Sequence, residues 1–539
     1  MEKFYITTPI YYVNANPHIG HAYTQIAVDV LARYHRMLGH EVFFLTGTDE
    51  HGEKIEEASV RAGFEKGREK EFVDTIVPAF KEAWKALDVS YDEFIRTTDE
   101  EHERVVREFL NKMYEKGDIY RGEYDGWFCT PCETFWTDTQ AENGMCPECK
   151  RPVDRIKEKN YFFKMKEHRD WLIDYINKHP KFIMPQFRKN EVLGFLREEL
   201  NDLCISRPRK RMAWGIEIPF DKEYVVYVWF EALINYISGL KKRGKFKELW
   251  PADLHVIAKD ILRHHAVYWP IMLKSVYGDD HAEEEDYLPV TIFAHGWWKM
   301  GEEKMSKSRG NIVDPVKFTE KYREYGGRDS LRYFLLKAVN LGMDGTFTED
   351  AFRVMYNSDL ANDLGNLLNR TLTMVEKYFG GLSPEIPGSC GDAVQEKRSD
   401  EIRNAVRALF PRIKEDLLSE KLLLKEALEE IMLVVGKANK YIEESAPWKH
   451  SKEGNTEAIK LIIGDLLEVL RVAAIGLCPF MPRTACKMWE QLGLGDMDKE
   501  CAKDSLKKEI SGPKEISPWR KFPAGTKITK GEPLFPRIQ

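Results

Sequence analysis

The stretch FYITTPIYYVNANPHIGHAYTQIAVDVLARYHRMLGHEVFFLT, residues 4–46, decides how the rest of the chain is read. Phe4 to Asn14 reads as a strand, Gly20 to Leu38 carries apolar residues at helical spacing, and Val42 to Thr46 is the short apolar run of a buried strand. A strand, a helix and a strand in that order argue for a parallel, doubly wound sheet, because parallel neighbours need a crossover between them. Asn16-Pro-His-Ile-Gly-His stands between the first strand and the helix. Backbone N–H groups and the positive end of the helix dipole meet there, which favours a phosphate. His18 and His21, at i and i+3, would share one helical face, and Gly20 between them would let a flat base approach the backbone. Two surface histidines would satisfy the same pattern.

Outward from this unit, Ile76 to Lys116 reads as helical and rich in charge, and short aromatic strands then surround a group of cysteines, so residues 116–206 read as an insertion. The α/β pattern resumes at Tyr224-Val-Val-Tyr-Val-Trp, Leu254-His-Val-Ile-Ala and Val290-Thr-Ile-Phe-Ala, each expected as a strand of one split nucleotide-binding sheet. Beyond about Thr348 strand signals stop. Apolar residues recur at helical spacing through 360–379, 401–414, 421–444 and 458–477, which predicts a helical bundle, and Ser511 to Gln539 is a tail rich in Pro, Gly and Lys.

A chain of 539 residues, 43% hydrophobic and 31% charged, with mean hydropathy −0.48, has the composition of a soluble protein of several domains, and no apolar run reaches the length of a membrane span. A net charge of −7 and a pI near 6.1 announce no nucleic-acid partner, so RNA would have to be held by local basic surface. Met1 to Val13 lacks the form of a secretory signal, and the expected location is the cytoplasm.

Four of the nine cysteines, Cys129, Cys132, Cys146 and Cys149, form C-x2-C-x13-C-x2-C, which suits one tetrahedral Zn2+. A four-thiolate site has no open position for water or substrate, so the metal would be structural. Reduced cysteines without metal, or two disulfides, are the alternatives that the spacing leaves open. Lys304-Met-Ser-Lys-Ser-Arg-Gly has the composition of a mobile loop that closes on a polyphosphate, and also that of a solvated basic loop.

Taken together, Pro17-His-Ile-Gly-His and Lys304-Met-Ser-Lys-Ser resemble the two signature sequences of class I aminoacyl-tRNA synthetases. Thr8-Pro-Ile-Tyr-Tyr-Val-Asn, Gly47-Thr-Asp-Glu-His-Gly, Tyr227-Val-Trp-Phe-Glu-Ala-Leu and Ala258-Lys-Asp-Ile-Leu-Arg-His-His resemble the methionyl-tRNA synthetase family specifically, and the resemblance runs over nearly the whole chain. It implies an α/β fold: a split Rossmann-like parallel-sheet catalytic domain with a zinc-knuckle insertion, followed by an α-helical bundle. The expected divisions are 1–115 and 207–300 for the two catalytic halves and 116–206 for the insertion. They continue with 301–350 for the lysine-bearing loop and its connection, 351–505 for a helical anticodon-binding domain and 506–539 for the tail.

The resemblance further implies activation of L-methionine by ATP, with Mg2+ accompanying the nucleotide, and transfer to tRNA(Met). It makes His18, His21, Lys304 and Lys307 catalytic, and these with Gly20, Ser306 and Ser308 bind ATP. Asp49 becomes the carboxylate that accepts the substrate ammonium, with Arg207 of Ile205-Ser-Arg as its ion-pair partner. Ile10, Tyr12, Trp229, Ala232, Leu233, Tyr236, Ile261, His265 and Trp269 fall on positions that line the methionine pocket, and rings suit a polarizable thioether. Asn366, Arg370 and Trp448 fall on anticodon-reading positions, of residue types that stack on bases or bond to their edges. Beside each role stands a plainer one: a salt bridge for Asp49, core packing for the rings, bundle core or surface for the last three.

Two rivals frame the reading. A class I synthetase for another amino acid is one; an insertion of about ninety residues is too short for the editing domain of the branched-chain enzymes, and the four grouped cysteines leave no thiolate set for a cysteine pocket. A non-catalytic tRNA-binding paralogue is the other, and the intact motifs weigh against it. The expected state is a monomer, since no oligonucleotide-binding domain follows the bundle, with a separate tRNA-binding subunit left open.

Overall fold

The computed structural model describes residues 2–130, 134–136, 138, 141–147, 149–279, 286–300, 303–304, 312–497, 499, 507, 510 and 521–539. Its centre is a six-stranded parallel sheet built from β1 (Lys3–Tyr12), β2 (Glu41–Asp49), β3 (Glu93–Arg96), β4 (Ile183–Met184), β5 (Leu254–Ala258) and β6 (Thr291–His295). The order is β3-β2-β1-β5-β6-β4, with every neighbour parallel. Helix α1 (Ile19–Leu38) makes the crossover from β1 to β2, as residues 4–46 predict. The strand order reverses between β1 and β5, and the crevice beyond the carboxyl ends of strands at such a point is where a doubly wound sheet binds ligands.

Two expectations need correction. β3 lies inside the segment expected to be wholly helical: Glu93 breaks the apolar pattern, yet it is buried because Arg243 and Lys242 pair with its carboxylate. Residues 224–229 are not a strand of the parallel sheet. Asp221–Val226 pairs antiparallel with Ser206–Pro208 and Glu217–Ile218, and the chain then turns into helix, so Trp229 stands on a helix. A short run buried on all sides carries no periodicity to separate strand from helix. Ile183 and Met184, within the stretch read as an insertion, supply the sheet's far edge.

The helices needed below are α2 (Glu100–Glu115), α3 (Val228–Leu233), α4 (Asn235–Lys242), α5 (Gly327–Lys337), α6 (Asn366–Phe379), α7 (Ala393–Leu418), α8 (Leu424–Ser445) and α9 (Thr456–Leu477). One hydrophobic core runs from α1 through α5 into the bundle of α6 to α9, and a second fills the other face of the sheet with α2 to α4. Arg332 of α5 joins the parts. It is fully buried, reaches Asp29 of α1 at 2.8 Å, and donates to the carbonyls of Leu87, Pro479 and Phe480 at 3.1, 2.8 and 2.7 Å. Burial pushes the Asp29 carboxyl up, but Arg33 and Arg332 outweigh it and hold it below the usual carboxylate range. Among the described residues no helix is long and apolar enough to cross a membrane.

Candidate active site

β1 does not run straight to its end. Its register against β2 shifts between Thr7 and Ile10, around Pro9, which has no N–H to give the ladder. Past the shift Tyr12 stands opposite Asp49, and Ile10 opposite Gly47. A side chain at Gly47 would put its Cβ 2.0 Å from the Ile95 carbonyl oxygen, so close packing of β3 on this end of β2 requires glycine there.

After β1 the chain enters α1 through His18, which is the extended N-cap and not a member of the helical face. Its Nδ1 accepts from the Gly20 N–H at 3.0 Å, while the His18 N–H donates to His21 Nδ1 at 3.3 Å, a reciprocal capping box built from two imidazoles. The rings stack 3.9 Å apart. The space a Cβ would take at Gly20 is filled by the His18 ring, 2.8 Å away, so glycine here makes room for the cap. The Ile19 N–H donates to the Val313 carbonyl at 3.0 Å, and Tyr23, one turn on, packs edge-on against Trp298 and His295.

Those contacts hold the residues that flank the second motif. Trp298–Met300 pairs antiparallel with Glu303–Lys304, and its stem is anchored by Asp344, which takes Lys299 and Lys259 at 2.7 Å each and the Trp297 N–H at 2.9 Å. Ser306, Lys307 and Ser308 lie outside the described residues, as does the side chain of Lys304. Both flanks of that segment are thus held at the start of α1, one through Trp298 and the other through Val313.

The residues matched to an amino-acid pocket gather across the switch point. Trp229 of α3 meets the edge of Tyr12 at 5.9 Å and stacks on His264 at 4.0 Å. Tyr236 of α4 bonds through its hydroxyl to His265 Nε2 at 2.7 Å, and its ring lies against His255 and Trp269. His265 Nδ1 meets the Ile261 carbonyl at 2.9 Å, within a segment that runs through a 3-10 turn and one turn of π-helix, Lys259–Ile261 and His264–Tyr268. Ile10 and Ile261 pack against this core, and Ala232 and Leu233 are buried in α3. Burial pushes His265 down to about 4 and holds His255 and His264 well below the ordinary range, so all three rings are neutral at neutral pH. Arg207 is buried with its guanidinium over Phe128 and Tyr227 at 4.9 and 4.8 Å, and it donates to the Ser206 carbonyl at 2.7 Å.

The family described as "tRNA synthetases class I (M)" matches residues 4–156 and 151–372, and "Anticodon binding domain of methionyl tRNA ligase" matches 394–539. Methionine--tRNA ligase of Caldanaerobacter subterraneus subsp. tengcongensis is 46% identical over 100% of this chain and 79% of its own length. The enzyme of the same name from Thermotoga maritima is 42% identical over 99% and 80%. The chain belongs to the methionyl-tRNA synthetase family. Mycobacterium tuberculosis methionyl-tRNA synthetase in complex with methionyl-adenylate superposes with a TM-score of 0.87 at 37% identity, covering 100% of both chains. Its apo form superposes with a TM-score of 0.81 at 34%, covering 100% of this chain and 99% of that one.

Two features of this methionyl-tRNA synthetase family member lie apart from the crevice. The Sγ atoms of Cys129, Cys146 and Cys149 lie within 4.8 Å of one another, that of Cys129 being 3.6 Å from that of Cys149; Cys132 lies outside the described residues. Thiolates bound to one tetrahedral ion at ~2.3 Å stand ~3.8 Å apart, so this cluster can hold a metal. It shares a small core with Trp136, Ala141 and Val153. In the bundle, Asn366 is exposed on the first turn of α6 and Arg370, one turn on, pairs with Glu443 at 2.6 Å. Trp448 is 39% exposed and stands just after α8, in the first turn of the short helix Pro447–Glu453, reached through Ala446 at φ 43°.

Several residues that organise the crevice received no role from the sequence, although His51, Glu231 and His264 stand inside quoted motifs. Glu231, His51 and His102 form one buried group, described below, and His264 and Val313 make contacts that residue spacing does not announce. A charged Glu231 inside an otherwise apolar run was the available signal.

Proposed function

We propose that this chain activates L-methionine with Mg-ATP and transfers it to tRNA(Met). The observation that carries the reading is the bond from Ile19 to Val313, which tethers the lysine-bearing segment to the histidine-capped start of α1, beside the crevice where Asp49 ends β2. An oxygen of the methionine carboxylate attacks the α-phosphorus of ATP, the bond to the β-phosphate oxygen breaks, and pyrophosphate leaves. Asp49 accepts the ammonium of methionine, and Arg207 keeps that carboxylate ionised. Ile10, Tyr12, Trp229, Ala232, Leu233, Tyr236, Ile261, His265 and Trp269 enclose the thioether with rings and branched carbons in which the imidazole is neutral. His18, His21, Lys304 and Lys307, helped by Gly20, Ser306 and Ser308, hold the triphosphate and stabilise charge growing on pyrophosphate. The terminal ribose hydroxyl of tRNA then attacks the activated carbonyl and AMP leaves. A cytoplasmic location goes with this reading. Amino-acid-dependent exchange of pyrophosphate into ATP, run over all twenty amino acids, tests this: exchange with methionine alone supports it, and exchange with a different amino acid or with none overturns it.

Cys129, Cys146 and Cys149, completed by Cys132, would hold one Zn2+, which pins a knuckle too small to own a large core. Elemental analysis of reduced, metal-replete protein should return one zinc per chain; a stoichiometry near zero or two contradicts the assignment.

Asn366, Arg370 and Trp448 are proposed to read the anticodon. Trp448→Ala should weaken charging of tRNA by the ~1–3 kcal/mol of one lost base stack and leave methionine-dependent pyrophosphate exchange nearly unchanged. Equal losses in both assays would assign Trp448 to the fold.

A further inference from the structure

Glu231 is fully buried on a helix of six residues, and both of its oxygens are engaged by imidazoles from other elements. His51 Nδ1 lies 2.8 Å from Oε1, and His102 Nε2 of α2 lies 3.3 Å from Oε2. The other ring nitrogen of His102, Nδ1, is 2.8 Å from the Ser238 hydroxyl of α4. Burial alone would lower the His51 pKa and raise that of Glu231; their mutual attraction outweighs it, so His51 stands above and Glu231 below its ordinary value. A buried ion pair is a poor way to stabilise a fold, since apolar residues of the same volume serve as well or better. What such a pair supplies is a fixed geometry.

The sequence positions say which geometry. Glu231 is two residues after Trp229, and His51 is two residues after Asp49. His51 also packs against Trp214 at 5.1 Å, and the Gly52 N–H donates to the Trp214 carbonyl at 3.2 Å. Glu50, between Asp49 and His51, accepts two bonds from Arg96 at 2.6 and 2.8 Å and one each from Thr48 and Thr98 at 2.6 Å. The two residues after Asp49 are therefore each locked by side-chain bonds to a different part of the fold, and His51 links directly to α3.

We infer that Glu231 is a positioning residue for amino-acid binding: through His51 and His102 it fixes α3, and with it Trp229, against the end of β2 that presents Asp49. The inference rests on the reading of Asp49 and Trp229 as methionine-binding. It assigns Glu231 no contact with substrate.

Glu231→Gln keeps the shape but gives one imidazole an amide N–H in place of an acceptor. In pyrophosphate exchange normalised to active sites counted by the adenylate burst, the methionine KM should rise about tenfold, equivalent to ~1.4 kcal/mol, with kcat and the ATP KM within about a factor of two. A fall in kcat at unchanged methionine KM, or a lower active-site count with normal constants, would make Glu231 a merely structural residue and overturn the inference. His102→Asn, which removes only the second bond, should give the same split in smaller measure if Glu231→Gln does not fold. Asp49→Asn is measured alongside, with 4-(methylthio)butanoate, which lacks the amino group, as competing inhibitor. Loss of preference for methionine over that analogue supports the underlying reading, and an unchanged preference defeats it. If Asp49→Asn loses the preference while Glu231→Gln leaves the methionine KM unchanged, the inference alone fails.

Discussion

Arg332→Met is expected to destabilise the folded chain by about 3–5 kcal/mol, because it removes one partner of a buried ion pair, leaves the other charge to the partly exposed Arg33 and strips three buried carbonyls of their donor. The case rests on how much one guanidinium satisfies: the Asp29 carboxylate on α1 and the carbonyls of Leu87, Pro479 and Phe480, all out of contact with water. Asp29 keeps Arg33 at 2.8 Å and Ser90, but Arg33 is partly exposed. The three carbonyls lose their charged donor, and Met offers nothing in return. Urea denaturation followed by tryptophan fluorescence reads the effect, and Asp29→Asn added to Arg332→Met should recover part of the loss by removing a buried charge that has lost its buried counter-charge. A midpoint within error of the parent would show that water replaces the guanidinium without cost. The same residue ties the sheet to the bundle, since Pro479 and Phe480 lie just past the end of α9 and its cap Cys478. Arg332→Met should therefore lower tRNA charging more than methionine-dependent exchange at temperatures where the variant is still folded.

Lys307→Ala should slow adenylate formation by about 30- to 1,000-fold, the ~2–4 kcal/mol that one donor supplies to a charge developed only in the transition state. Lys307 lies outside the described residues, but its flanks are within them. Trp298–Met300 and Lys304 form the stem, Asp344 holds that stem through Lys299, and Val313 bonds to Ile19 at the far end. On the function proposed above, Lys307 stands between these two anchored flanks and meets the triphosphate of ATP. An interaction made late lowers the chemical rate without an equal rise in the ATP constant, and transfer from preformed adenylate should suffer less. Rapid-quench measurement of a single turnover separates these quantities. A defect wholly in ATP affinity, or an unchanged rate, would remove the segment from the catalytic step.

What residues 4–46 determine by themselves is local. The strand, the capped helix and the second strand follow from periodicity over a few turns, and the apolar runs at 254–258 and 290–294 extend the same sheet. The bundle after Thr348 follows from helical spacing, and family membership was legible because the two signature sequences and the cysteine spacing are contiguous patterns. Tertiary structure decided everything whose partner is distant in sequence. Glu93 is buried in a strand because Lys242 and Arg243 neutralise it, Trp229 stands on a helix although the apolar run that leads to it reads as a strand, and Ile183 supplies the far edge of a sheet begun at Lys3. In the crevice, His51 finds Glu231 across 180 residues and His102 finds it across 129. No window of sequence contains both ends of such a bond, and a buried charge is tolerable only where the fold has already brought its counter-charge to it.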